Sequence, residues 1–258
     1  MHKEDPEKVL FTLNEKFKFE CHQGLPCFNT CCRDISIFLT PYDVLRMRRS
    51  TGLSSQEFLQ KYTSTMLADD GIPLVMLKMR TDENQTCPFV EPGGCAIYLD
   101  RPWSCRMYPV FPLSSEELEF LIEERPSCLG FREERESTVS EWKTQQDIDA
   151  YDQMNKGYKE ITQHEFFQKG NILDSGKAKL LYSACYDLDW FRKFLFNTRF
   201  FEKYDVENDL IEKMRDDDGE LLKFGYRWVR SILFSEDTLR LKDEAMEKLL
   251  HAGGKEPS

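Results

Sequence analysis

Nine cysteines stand in this chain: Cys21, Cys27, Cys31, Cys32, Cys87, Cys95, Cys105, Cys128 and Cys185. Eight fall between Cys21 and Cys128, and the 130 residues that follow hold only Cys185. The first run reads Cys21-x5-Cys27-x3-Cys31-Cys32 and the second Cys87-x7-Cys95-x9-Cys105, with Cys128 further on. Thiols at such spacings are suited to metal, because one loop can fold two or three thiolates around a centre about 2.3 Å away. Cys31 and Cys32 are neighbours, and adjacent side chains diverge unless the backbone bends sharply. They are therefore expected to serve different metal atoms, in two sites or in two irons of one cluster. Eight cysteines also make two sets of four. An iron–sulfur cluster is the group expected first and zinc second, since unequal spacings suit a multi-iron cluster as well as they suit zinc. The competing reading is eight small buried hydrophobes. It applies best to Cys185, which lies beside Ala184 in an amphipathic stretch.

Bundled thiolates carry negative charge that a half-buried site has to offset. Arg33, Arg101 and Arg106 each lie within a few residues of a cluster cysteine. Arg101 and Arg106 above all are expected to donate to sulfur or to nearby carboxylates. Pro26, Pro88, Gly93 and Gly94 sit in or beside the cysteine loops, where they allow turns and limit the entropy lost on closing them.

The rest of the composition narrows the function. With 46 acidic against 35 basic side chains, the formal net charge is -11. Such a surface repels phosphate backbones and anionic membranes, so neither nucleic acid nor membrane is an expected partner, while a protein partner stays open. No apolar run reaches the length of a membrane span. The first residues, Met-His-Lys-Glu-Asp-Pro-Glu-Lys, lack the apolar core of a signal peptide. The expected compartment is the cytoplasm, whose reducing conditions turn clustered cysteines from disulfides toward metal.

These cysteines must be positioned by an α+β fold, mainly helical. The expected organisation is a cysteine-cluster domain over residues 1–135, irregular with short strands, and a helical region over 136–258. Thr40-Pro41-Tyr42-Asp43 reads as a helix start that Gly52 ends. Ser54-Ser55-Gln56-Glu57 reads as a capping box for a second helix, with Phe58, Leu59, Tyr62, Met66 and Leu67 as its apolar face. Leu74 to Arg80 and Ala96 to Leu99 read as short strands. Ser137 starts a helix carrying Val139, Trp142, Ile148 and Tyr151. Ser175 to Asn197, Glu220 to Phe234 and Ser235 to His251 follow as helices. The aromatics around Tyr182, Tyr186, Trp190, Phe191, Phe194 and Phe196, with Tyr226 and Trp228, are expected in the core. Asp216-Asp217-Asp218 is expected as a solvated turn before Gly219.

Several motifs are excluded. A radical-type Cys-x3-Cys-x2-Cys fails because Asp34 stands in its third position. Gly170 to Gly176-Lys177 misses the phosphate-loop spacing and ends in Ala178. The four histidines, His2, His22, His164 and His251, are too scattered for a two-cysteine, two-histidine finger. No Cys-x2-Cys occurs. No acid–base pair or nucleophile can be assigned to catalysis.

Four stretches resemble the YkgJ-like CxxCxxCC cysteine-cluster family of zinc- or iron-chelating domains. They are Phe19 to Cys32, Ile37-x-Leu39-Thr40-x-x-Asp43-x-x-Arg46, Cys87-Pro88-Phe89, and Cys95-x-Ile97-Tyr98-x-x-Arg101-Pro102-x-x-Cys105-Arg106-x-Tyr108-Pro109. Cys128-Leu129-Gly130 resembles the family's last cysteine. The likeness spans about residues 19 to 131 and implies metal binding through these cysteines. The first cysteines are spaced more widely here than the family's name describes, which makes Cys21 the least secure ligand, with His22 beside it as a possible substitute. The same family includes flagellin lysine methylases. Eight cysteines without an assignable acid–base pair or nucleophile point to a structural or electron-carrying centre, and the resemblance implies two alternatives: a cluster-dependent modifying enzyme or a metal-delivery protein. No glycine-rich methyl-donor loop is identifiable.

Overall fold

Thr40 and Ser54 each open a helix as their neighbours dictate. The computed structural model describes residues 10–113 and 119–242. The Thr40 hydroxyl accepts from the Asp43 N–H at 3.2 Å, while Asp43 accepts from the Thr40 N–H at 2.8 Å. This reciprocal cap starts the helix Pro41–Thr51, and Gly52, at φ 67°, closes it in the left-handed conformation that suits glycine. Ser54 and Glu57 form the same box ahead of the helix Ser55–Tyr62. That helix stops earlier than its apolar pattern suggests. Thr63-Ser64-Thr65 favours strand over helix, so Met66 and Leu67 lie in the strand Thr63–Leu67 and are exposed.

The fold is mixed α+β, with short strands in the N-terminal part and helices dominating the C-terminal part. It divides into two compact units, each built from two separated segments. The first takes the chain up to Phe38 and adds Leu77–Gln153; the second takes Leu39–Met76 and the chain from Met154.

The first unit carries all eight clustered cysteines. Its strands are only two or three residues long. Leu10–Phe11, Phe120–Ile122 and Val110–Pro112 form one antiparallel sheet in that order, and Glu136–Thr138 pairs antiparallel with Lys16–Lys18. Behind them lies a small core that includes Phe17, Phe19, Val110, Phe120, Val139 and Trp142. Thr138, not Ser137, caps the helix Val139–Gln145. A second helix, Ile148–Thr162, follows a break at Asp147, which adopts φ 54°. The expected single helix is thus two, although Val139, Trp142, Ile148 and Tyr151 are all buried. Ala96 to Leu99 is not a strand. It is a turn leading into the 3-10 segment Tyr98–Asp100, with the Leu99 side chain 76% exposed.

In the second unit the stretch Ser175 to Asn197 is also two helices, Ser175–Cys185 and Leu188–Asn197. Asp187 interrupts them by accepting from the Trp190 N–H at 3.2 Å and so capping the second. The helix Asp218–Phe234 packs on the first of these, and Gly225 makes the approach possible. A Cβ there would stand 2.8 Å from the Ala184 carbonyl oxygen. Cys185, Phe191, Tyr186, Tyr226 and Trp228 are buried in this unit, whereas Trp190 is partly exposed. Residues 235–242 are not helical, and the remainder of the expected helix to His251 lies outside the described residues. Among the described residues no helix is long and apolar enough to cross a membrane.

Candidate metal centre

Three local structures bring the cysteines together. The first is the turn that holds Cys31 and Cys32. Asn29 at φ 65° and Asp34 at φ 46° bend the backbone on either side of the 3-10 segment Thr30–Cys32. In such a segment successive side chains point about 120° apart. Cys31 and Cys32 nonetheless keep their thiols in contact, Cys32 donating to Cys31.

The second is the hairpin of Val90–Glu91 and Gly94–Cys95, in which Val90 lies opposite Cys95. The Val90 N–H donates back to the Cys87 carbonyl at 3.2 Å. Gly94 takes φ 120°, and a Cβ there would stand 3.2 Å from the Phe28 ring. The Cys87 N–H donates to the Cys32 carbonyl at 2.8 Å, and Arg33 bridges to Thr86. Cys32 thus joins Cys87 and Cys95.

The third is the turn Cys128-Leu129-Gly130. The Leu129 N–H donates to Cys27 Sγ at 3.2 Å, and the Glu20 N–H donates to the Gly130 carbonyl at 3.0 Å. Gly130 is forced by this approach: a Cβ would meet the Glu20 carbonyl oxygen at 2.7 Å and the Phe19 ring at 2.8 Å. Gly130→Ala should lower stability by about 1–3 kcal/mol, the usual cost of an overpacked contact. It should also loosen Cys128 from Cys21 and Cys27. Urea midpoints and bound metal per chain measure both, and an unchanged pair of values contradicts this assignment.

Charge and burial act on these thiols together. Burial pushes Cys21 up to about 11, and nearby Cys31, Cys128 and Cys27 add to the shift. Burial also raises Cys87, with Cys95 in electrostatic reach, and it raises Cys95. Cys31 is lowered to about 7 by the hydrogen bond it accepts from Cys32, and Cys32 is raised by giving it. Cys32 is also within electrostatic reach of Cys87 and Cys105. Most of these groups favour the thiol, so metal binding has to displace protons.

Arg101 and Arg106 are buried, and their hydrogen bonds anchor the backbone around Cys105. Arg101 donates to the Tyr98 carbonyl at 2.7 Å and to the Gln146 side chain, and it lies 3.7 Å from the Tyr98 ring centre. Arg106 donates to the Gln146 carbonyl at 2.6 Å, to the Arg101 carbonyl at 3.2 Å and to the Leu99 carbonyl. Burial lowers the Arg101 pKa against the pull of Tyr98, with Cys105 and Cys95 within electrostatic reach. Arg33 is exposed. His22 accepts from the Gly24 N–H at 3.1 Å and faces Glu133 at 3.6 Å.

Sequence reasoning missed Gln146 and Tyr108. Gln146 serves both arginines because the helix break at Asp147 frees its carbonyl, and Gln-Asp between two amphipathic stretches was the available signal. The Tyr108 hydroxyl is buried without a partner in good hydrogen-bonding geometry. Burial raises its pKa, and Cys128 beside it raises it further. Tyr108 and the Leu129 N–H are the kind of donors that a thiolate bound to metal uses. The donor set therefore fits a sulfur-held metal. Among the described residues no three histidine, cysteine or acidic groups stand together as a ligand set.

A family model described as "CxxCxxCC: Putative zinc- or iron-chelating domain" matches residues 20–148, half of the chain. No curated protein and no solved structure matches.

Proposed function

This chain belongs to the CxxCxxCC family of zinc- or iron-chelating domains, and from that premise we propose that its eight clustered cysteines hold an iron–sulfur centre with a structural or electron-carrying role. One observation carries the reading. Cysteines from four stretches far apart in sequence are gathered in one unit by the Cys87–Cys32 backbone bond, the Val90–Cys95 pairing and the Leu129–Cys27 bond. Cys21, Cys27, Cys31, Cys32, Cys87, Cys95, Cys105 and Cys128 are the ligands. When bound, the group supplies a cross-link between loops and, if it contains iron, a site for one electron. The chain's own part is to hold the loops in register. Arg101 and Arg106 fix the backbone around Cys105, and Leu129 and Tyr108 present hydrogen-bond donors to sulfur.

Zinc is the second reading, because thiolates at these spacings suit zinc as well as iron. Metal content and an ultraviolet–visible spectrum, taken on protein isolated without oxygen, decide between them. Iron with inorganic sulfide and a brown colour is the expected result. Colourless protein with zinc replaces iron by zinc and makes the centre structural. Protein without either metal overturns the proposal.

A further inference from the structure

We infer that Tyr98 and Leu99 form a docking point on the cysteine-bearing unit for a basic protein, one that presents an apolar pocket rimmed by lysine or arginine. Leu99 is 76% exposed, more than any other large apolar side chain among the described residues, and Tyr98 beside it is 56% exposed. A single exposed leucine is ordinary on a protein surface. This pair differs because two buried arginines hold it still. Arg101 donates to the Tyr98 carbonyl at 2.7 Å, and its guanidinium packs 3.7 Å from the Tyr98 ring centre. Arg106 donates to the Leu99 carbonyl and lies 4.7 Å from the Tyr151 ring centre. Tyr151 in turn donates to the Arg101 carbonyl at 3.1 Å. A surface fixed in advance loses little conformational freedom when a partner covers it. Tyrosine is also among the residues that most often anchor an interface.

Charge identifies the occupant. The cysteine-bearing unit has 22 acidic against 13 basic side chains, a formal net of -9, whereas the other unit has 24 against 22, a net of -2. Most of the chain's negative charge thus lies on the unit that displays Tyr98 and Leu99. Asp100 follows Leu99 directly, and exposed Asp147 follows Gln146, the residue to which Arg101 and Arg106 both donate. A second copy of the chain would bring like charge against like, and nucleic acid or an anionic membrane would be repelled as well. Opposite charge steers a basic protein to this unit and disfavours other partners. The inference holds whichever metal the cysteines take. It sets the partner against the segment that joins Cys95 to Cys105.

The test uses the intact chain as isolated with its metal. The photo-crosslinker p-benzoylphenylalanine, in place of Tyr98, is irradiated in extract of the cells that make the protein, and the captured chain is identified by mass. That protein is then purified and titrated against the unmodified chain and against Leu99→Ser, which keeps the carbonyl that Arg106 holds. The captured protein should be basic. Leu99→Ser should weaken its binding at least about tenfold, and raising salt from about 0.05 to about 0.5 M should weaken binding to the unmodified chain. Ile172→Ser, at an apolar side chain 64% exposed on the other unit, should leave binding unchanged. Capture of a second copy, of an acidic protein or of nothing overturns the inference, and so does binding indifferent to Leu99→Ser or to salt. Loss of metal from Leu99→Ser overturns it too, because Leu99 then serves the metal centre and not a partner. None of the other failures touches the metal reading, which metal content alone decides.

Discussion

Stripping the metal from the intact protein is expected to unravel the cysteine-bearing unit and leave the helical unit folded. The reason lies in the lengths of its elements. Val90–Glu91 and Gly94–Cys95 are two-residue strands, and a lone two-stranded hairpin is at best marginal in water. The turns that carry Cys27, Cys31 and Cys128 are closed by single hydrogen bonds. A structural metal contributes on the order of 10 kcal/mol to small cysteine-rich folds, which is comparable to the whole stability of a domain. The second unit needs no such help, because Leu181, Phe191, Leu195, Leu221 and Val229 are fully buried in it. Hydrogen exchange before and after chelation checks this. Amides in 20–38, 84–110 and 120–132 should lose protection, while those in 178–195 and 218–234 keep theirs. Unchanged protection at the cysteines after complete metal loss means that the fold does not depend on the metal.

The caps were the most legible part of the structure. Thr40 with Asp43, Ser54 with Glu57 and Gly52 act within one helical turn, so local sequence contains everything needed to place them. The breaks were less legible. Asp147 and Asp187 interrupt amphipathic runs whose apolar spacing continues across them, and an Asp inside a helix and an Asp between two helices look alike in sequence. The site had the same split. Clustering alone singled out eight candidate cysteines, and the family match over residues 20–148 supports a chelating domain. How they sort depends on bonds that span large separations, such as Leu129 to Cys27. The exposed Leu99 shows the limit well. Its apolar side chain suggested a strand, but the structure uses its carbonyl, which receives Arg106.

Asp218→Ala is expected to cost about 3–5 kcal/mol, the usual penalty for removing one partner of a buried ion pair. The acidic run Asp216-Asp217-Asp218 suggested a solvated turn, yet Asp218 is only 8% exposed. Arg192 donates to it at 2.6 Å, Arg48 donates to its other oxygen, and Arg49 stands 3.4 Å away. Asp217, next to it, caps the helix Asp218–Phe234 through the N–H groups of Gly219 and Glu220. Adjacent aspartates thus do separate work. Burial pulls the Asp218 pKa up, but the Arg192 hydrogen bond and the charges of Arg48, Arg192 and Arg49 outweigh it and hold the carboxyl below its ordinary value. A depressed folded pKa means that the stabilisation is complete above the unfolded value of about 3.9 and fades as pH falls through the folded one. Stability of the helical unit should therefore drop on acidification below about pH 4. Asp218→Asn keeps the shape, removes the charge and should flatten this part of the profile. Urea unfolding at pH 7 and at pH 3, followed by the near-ultraviolet signal of Trp228, tests both variants. A loss below about 1 kcal/mol for Asp218→Ala would show that the three arginines find other partners or water without cost.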